Sequence, residues 1–237
     1  MNIHVERIKL GNRDVSLSRS MRPSALFSYL QEAATVHAEE LDIGRDKTLD
    51  KGILWVLIRQ KVEVVRMPEY CEEVILETWP GVMKHMFYPR YYRITDTEGN
   101  TLLSASSLWA LIDSETRAML MPAQSGICLS GELTGNEIAL PGSIRKMTLT
   151  DSAEFTVPYS YVDINGHMNN VKYLDAAEDL IPDAASKRSI KSISVEYANE
   201  IKLAETINIS YGNDENIYYF SGDGDKHKFS IALEYNS

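Results

Sequence analysis

The feature that most constrains this chain is that it repeats itself. Phe27-SYLQEAA aligns with Val171-KYLDAAE, and Val62-EVVRMPEYCEE aligns with Val195-EYANEIKLAE, in the same order in each half. Each half opens on a helical pattern and continues with residues that alternate. PSALFSYLQEAATVHAEEL (23–41) starts at Pro23, which suits a first helical turn, and sets Leu26, Leu30, Ala33, Ala34, His37 and Leu41 roughly on one face. NNVKYLDAAEDLIP (169–182) predicts the second helix, with Asn169 or Asn170 as cap and Pro182 as stop. TINISYG alternates Ile207, Ile209 and Tyr211 with Thr206, Asn208 and Ser210, and KFSIALEY sets Phe229, Ile231, Leu233 and Tyr235 on one face. Both are half-buried antiparallel strands by this pattern. DTEGN (96–100) and GDGDK (222–226) are hairpin turns.

One long helix wrapped by a mainly antiparallel sheet buries its apolar surface economically. Made twice in one chain, it predicts an α+β fold of the double hot-dog type. The polar, glycine-rich stretch SGELTGNEIALPGS (130–143) reads as the connector. The expected organisation is an N-terminal repeat over 1–130, a linker over 131–150 and a C-terminal repeat over 151–237.

Composition excludes several functions. The profile, 44% hydrophobic and 24% charged, is that of an ordinary soluble globular chain. A net charge of −10 argues against a nucleic-acid binder and gives no general attraction to anionic membranes. An acidic partner would have to meet a local basic patch. No apolar run approaches the length of a membrane span. Cys71 and Cys128 have no close spacing, so reduced thiols are expected rather than a disulfide framework. The opening MNIHVERIKLGNRDV lacks the apolar region of a signal peptide and the Arg/Ser-rich, acid-poor character of a transit peptide, so a cytoplasmic protein is expected.

DINGHMNNVKYLD (163–175) gathers Asp163, Asn165, Gly166, His167, Asn169 and Asn170 directly before the second helical pattern. A turn needs one or two such residues. An Asx-turn would by itself account for Asp163, and a cap for Asn169 and Asn170. A calcium loop needs glycine at its sixth position, whereas Gly166 is fourth, and histidines and cysteines are scattered without zinc-ligand spacing. No metal and no cofactor are expected. Trp55, Trp79 and Trp109, all in the first half, read as core residues rather than cofactor contacts.

At this point the residues resemble a known family. LQEAATVH (30–37), WV (55–56), VEVVRMP (62–68), ETW (77–79), SLW (107–109), TRAMLMP (116–122), DINGHMNNVKY and EYANEI (196–201) are similar, in order and spacing, to the acyl-[acyl-carrier-protein] thioesterases, the plant plastid enzymes and their bacterial relatives. The resemblance implies a double hot-dog fold that hydrolyses fatty-acyl thioesters on acyl carrier protein, with the acyl tail in the first repeat and the chemistry in the second. It puts Asp163, Asn165, His167 and Glu200 on the family's catalytic positions. The family often carries a cysteine directly after that glutamate. Here the position is Ile201, so an activated water becomes the expected nucleophile.

Thioester hydrolysis needs a base for the attacking water and donors for the developing oxyanion. Asn165 and N–H groups at the helix start are candidate donors, His167 and Glu200 candidate water handlers, and Asp163 the residue that orients Asn165 or His167. Alternation in EYANEIK puts Glu196, Ala198 and Glu200 on one strand face, and partial burial there would raise the pKa of Glu200. Arg19, Arg22, Lys84, His85, Arg90 and Arg93 are candidates for a patch that docks the acidic carrier protein. Monomer and homodimer are both compatible with a doubled chain. Alternatives are an acyl-CoA thioesterase, a hot-dog 3-hydroxyacyl-thioester dehydratase and a non-catalytic acyl-thioester sensor.

Overall fold

The structure, a computed structural model, describes residues 2–127, 129, 131, 133–181 and 188–236. By compactness the chain divides into two units, Met1–Lys9 with Tyr29–Val65 and Cys71–Pro141, and Leu10–Ser28 with Arg66–Tyr70 and Gly142–Ser237.

In the first unit, β1 (His4–Lys9) precedes α1 (Pro23–Glu40), whose first residues belong to the second unit, and the short α2 (Arg45–Leu49). Then come β2 (Ile53–Val64), β3 (Glu73–Pro80), β4 (Phe87–Asp96), β5 (Thr101–Asp113) and α3 (Pro122–Ser125). The strands lie in the order β1-β3-β4-β5-β2, and the registered pairs are antiparallel. The expected face of α1 is the buried one, since Leu26, Leu30, Ala33, Ala34 and His37 are all at most 5% exposed. Trp79 is buried, whereas Trp55 and Trp109 are partly buried against Ile53, Tyr88, Leu111 and Ile127.

The interior of this unit is not wholly apolar. Arg90 of β4 is buried, and its Nη1 donates to His37 Nδ1 at 2.9 Å and to Thr78 Oγ1 at 3.1 Å. The acceptor role of Nδ1 fixes His37 as neutral imidazole with its proton on Nε2. Burial and the Arg90 charge both push the imidazole down, to about 4.

In the second unit, β6 (Asp151–Thr156), α4 (Lys172–Glu178), β7 (Ile190–Tyr197), β8 (Thr206–Asp214), β9 (Ile217–Asp223) and β10 (His227–Tyr235) repeat the plan. The strand order is β7-β10-β9-β8-β6, again antiparallel. Each strand here takes the place of its counterpart in the first unit. Ile207, Ile209, Phe229, Ile231, Leu233 and Tyr235 are buried, as alternation requires. Tyr173 of α4 packs edge-on against Phe229 and Tyr197, at ring separations of 5.0 and 5.3 Å.

The second helix is shorter than the 169–182 pattern predicts. It begins at Lys172 because Asn169 builds a turn ahead of it, its Oδ1 accepting the Val171 N–H and its carbonyl the Lys172 N–H. The helix ends at Glu178, before the stop expected at Pro182; Pro182 itself, like Cys128, lies outside the described residues.

Candidate functional site

The segment before α4 is a tight turn. The Asp163 N–H donates to the His167 carbonyl at 2.9 Å, and the Gly166 N–H donates to the Asp163 carbonyl at 3.0 Å. Gly166 sits at φ +78°, in the left-handed region that glycine enters without strain. The Asp163 carboxylate does two things. Its Oδ1 accepts the Asn165 N–H at 2.8 Å, an Asx-turn, while its Oδ2 lies 3.4 Å from Asn165 Nδ2 and aims that amide.

After the turn the chain docks on a distant segment. His167 forms a bridge with Lys202, and the Met168 N–H donates to the Ile201 carbonyl at 2.7 Å. This brings His167 Nε2 to 3.3 Å from Glu200 Oε2. All four residues expected to form a site therefore fall within the second unit. Asp163 holds Asn165, and His167 meets Glu200.

The first half of the chain supplies an internal control. The Ser16 N–H donates to the Ser20 carbonyl at 2.9 Å, the Arg19 N–H to the Ser16 carbonyl at 3.0 Å, and the Met21 N–H to the Pro68 carbonyl at 2.8 Å. Ser16 Oγ receives the Ser18 N–H at 3.3 Å, and Ser20 bridges to Glu69. Arg19, at φ +66°, takes the place of Gly166. Bond for bond, this is the same turn docked in the same way. Ser16, Ser18 and Ser20 stand where Asp163, Asn165 and His167 stand, and the aligned repeats put Met67 at the place of Glu200. The fold can thus be built without the acid, the amide, the imidazole and the second acid. Backbone geometry does not explain why the second copy carries all four.

Two expectations about Glu200 need correction. It lies beyond β7, which ends at Tyr197, because the Ala198 and Asn199 N–H groups both reach the Lys228 carbonyl, at 2.8 and 3.1 Å. Two residues facing one make a bulge, and strand alternation stops there. Nor is it buried, since its side chain is 43% exposed and open to water. The helix start is also less available than expected. The Val171 and Lys172 N–H groups are occupied by Asn169.

Residue spacing gave no sign of Lys228. It is 5% exposed, and its Nζ donates to the Glu200 carbonyl at 3.2 Å while pairing with Glu205 at 2.6 Å and Asp225 at 3.1 Å. Burial alone would lower its pKa, but the bonds to the two carboxylates outweigh it and the net shift is upward. Lys228 thus ties the Glu200 segment to the β9–β10 hairpin. Ile201, at the position where the family often has cysteine, is fully buried. Cys71 is exposed and belongs to the first unit.

The expected docking patch does not hold as drawn. Arg90 is buried beside His37, and Arg93 is partly buried in an ion pair with Glu77 at 2.6 Å. Arg19, Arg22, Lys84 and His85 are exposed, the first two in the second unit and the others in the first. Among the described residues, no group of three or more His, Cys, Asp or Glu side chains is arranged to hold a metal ion.

Residues 2–124 match the model of the acyl-ACP thioesterase N-terminal domain, and residues 144–234 match that of the C-terminal domain. A chloroplastic palmitoyl-acyl carrier protein thioesterase of Arabidopsis thaliana is 25% identical over 82% of this chain and 51% of its own length. A chloroplastic dodecanoyl-[acyl-carrier-protein] hydrolase of Cinnamomum camphora is 28% identical over 80% of this chain and 54% of its own. The chain spans about half the length of these curated relatives. Among solved structures, an acyl-ACP thioesterase from Bacteroides thetaiotaomicron superposes with a TM-score of 0.87 at 22% identity, covering 99% of this chain and 98% of that one. The 12:0-ACP thioesterase from Umbellularia californica gives 0.83 at 20% identity, covering 100% and 98%. The fold is the α+β double hot-dog expected from the repeat. With both of the family's domain models matched in order along it, this chain belongs to the acyl-ACP thioesterase family.

Proposed function

We propose that the chain hydrolyses fatty-acyl thioesters carried on acyl carrier protein, with Asp163, Asn165, His167 and Glu200 as the working residues. The observation that carries this reading is the pairing of His167 Nε2 with Glu200 Oε2 at 3.3 Å in the second copy of a turn whose first copy has neither group. In the reaction, a water oxygen bonds to the thioester carbonyl carbon while the carboxylate–imidazole pair takes its proton. The Asn165 amide, aimed by Asp163, donates to the oxygen as it becomes an oxyanion. The C–S bond then breaks, and the proton passes to the phosphopantetheine thiolate, releasing free fatty acid and holo carrier protein. The exposure of Glu200 suits this role, because the attacking water can reach it. Ile201 offers no thiol, so the mechanism runs without an acyl-cysteine.

Supply of free fatty acid during fatty acid biosynthesis is the place for this reaction, in a reducing cytoplasm. The 1–130 repeat holds the acyl chain in this reading and the 151–237 repeat supplies the chemistry, joined by the 131–150 linker. The test is a thiol-release assay across acyl carrier proteins loaded with chains of graded length, with matched acyl-CoAs alongside. Release from the carrier protein that His167→Ala abolishes supports the reading. Release from CoA substrates alone would make the chain an acyl-CoA thioesterase. Absence of release, with an enoyl product from 3-hydroxyacyl substrates, would replace hydrolysis by dehydration.

A further inference from the structure

The β9–β10 hairpin carries a second polar relay that shares no residue with the site above. Phe220 and Ile231 are buried partners across the hairpin, so alternation puts Ser221, Asp223 and Ser230 on the opposite face of the sheet. On that face His227 lies between an acid and a hydroxyl. Its Nδ1 is 3.0 Å from Asp223 Oδ1 and its Nε2 is 3.1 Å from Ser230 Oγ. The Ser221 hydroxyl in turn donates to Asp223 Oδ2 at 2.8 Å.

In the neutral form of the ring, these contacts order its protons. A carboxylate only accepts, so Nδ1 carries the ring hydrogen and Nε2 offers its lone pair. Ser230 must then be the donor to Nε2. The order is nucleophile, base and orienting acid, with Ser221 steadying the acid, which is the arrangement that activates a serine hydroxyl on unrelated folds. A hairpin does not require it. The corresponding β4–β5 hairpin closes on Asp96, whose oxygens accept from Glu98 and Asn100, with no histidine involved.

The relay also faces a space that a ligand can enter. Ser221, Asp223, His227 and Ser230 line a cleft of about 370 Å³ whose other wall is the 144–149 segment. That size falls among small-molecule sites, which run from roughly 300 Å³ upward. Met147, Leu149 and Tyr219 give the cleft an apolar surface, and Arg145 and Lys146 give it positive charge.

We propose that Ser230 is the nucleophile of a second hydrolytic centre, acting on small carboxylic esters with an apolar acyl group and an anionic portion. Ser230 Oγ bonds to the ester carbonyl carbon as its proton moves to His227 Nε2. The C–O bond of the leaving alcohol then breaks, and the alcohol departs with that proton. Water, deprotonated by His227, releases the acid and restores Ser230.

The test treats the full chain with an alkyl fluorophosphonate. Ser230 Oγ would form a P–O bond, fluoride would leave, and the hydroxyl proton would pass to His227. The expected result is a single adduct mapped to Ser230 by mass spectrometry. Ser230→Ala should abolish it, and His227→Gln should slow its formation by at least about tenfold. His167→Ala should label like the parent, and Ser230→Ala should keep the parent's thiol release, so this centre and the proposed thioesterase site fail or stand separately. No adduct, an adduct on another residue, or an unchanged labelling rate in His227→Gln would each overturn the proposal.

Discussion

His37 makes the first unit sensitive to acid, and the effect can be sized. Folded, the imidazole is buried and accepts from Arg90, and its pKa falls from the ordinary 6.5 to about 4. Unfolded, it returns to the ordinary value. At pH 7.5 it is neutral in both states and contributes no difference. As the pH falls through 6.5 the unfolded chain takes up a proton that the folded chain refuses, so stability declines toward pH 4. Each pKa unit is worth about 1.4 kcal/mol, and between pH 7.5 and 5.0 the loss from this one group comes to about 2 kcal/mol. His37→Gln removes the titration while its amide oxygen can still accept from Arg90. The substitution adds a packing cost, but that cost is the same at every pH and leaves the slope alone. Urea unfolding followed by tryptophan fluorescence is the right assay, because Trp55, Trp79 and Trp109 all lie in the unit that holds His37. The difference in unfolding free energy between parent and variant should shift by about 2 kcal/mol over that range, in the variant's favour at low pH. Parallel pH profiles for the two proteins would refute the neutral, buried imidazole and the Arg90 contact that requires it.

Other outcomes follow from the same structure. His167→Ala and Asn165→Ala should each lower thioester turnover by about a hundredfold or more while melting like the parent, and near-parent hydrolysis would remove them from the mechanism. Lys228→Met should slow turnover more than it raises KM, because it releases the Glu200 segment without touching substrate; Lys228→Arg should recover part of the loss, and a change in KM alone would show that the clamp does not position Glu200. Glu178 is pushed up to about 7, by burial first and then by the nearby charge of Asp175. A raised carboxyl pKa favours the fold at low pH, and that advantage is lost as the pH rises through 7, so Glu178→Gln should stabilise by on the order of 3 kcal/mol at pH 8 and by little at pH 4.5; equal effects at both would refute it.

What could be read from sequence followed from local periodicity. The buried faces of α1, β8 and β10 repeat at the spacing of a helix or a strand, and a single stretch of sequence contains that information. The failures lie where a second segment intervenes. Helix α4 is the local exception, starting late because the neighbouring Asn169 side chain and carbonyl take its first N–H groups. Alternation carried Glu200 onto a strand face because a bulge at Ala198 and Asn199 depends on the partner strand, which EYANEIK does not contain. Arg90 looked like a surface cation because its partners His37 and Thr78 are 53 and 12 residues away. Lys228 was invisible for the same reason, with its bond to Glu200 spanning 28 residues.

The four residues proposed as the site stood out in the sequence through the family resemblance and a surplus of polar side chains, and the internal repeat gives a second ground for singling them out. A turn that must dock on a neighbouring segment needs a left-handed residue, a side-chain acceptor near its start and three main-chain bonds. Ser16, Arg19 and Met21 meet those needs with ordinary residues. Asp163, Asn165 and His167 meet them with a carboxylate, an amide and an imidazole, and then bring the imidazole against a second carboxylate. The first copy therefore measures what the fold alone requires of this turn, and the excess in the second copy is what the proposed chemistry would use. The anchoring differs too. In the second copy the segment opposite the turn is held by a buried lysine with three oxygen partners, Glu200, Glu205 and Asp225. Placing acid, amide and imidazole at Ser16, Ser18 and Ser20, with a glutamate at Met67, would reproduce the groups without that clamp. If positioning as well as composition makes the pair work, such a graft stays far less active than the second copy.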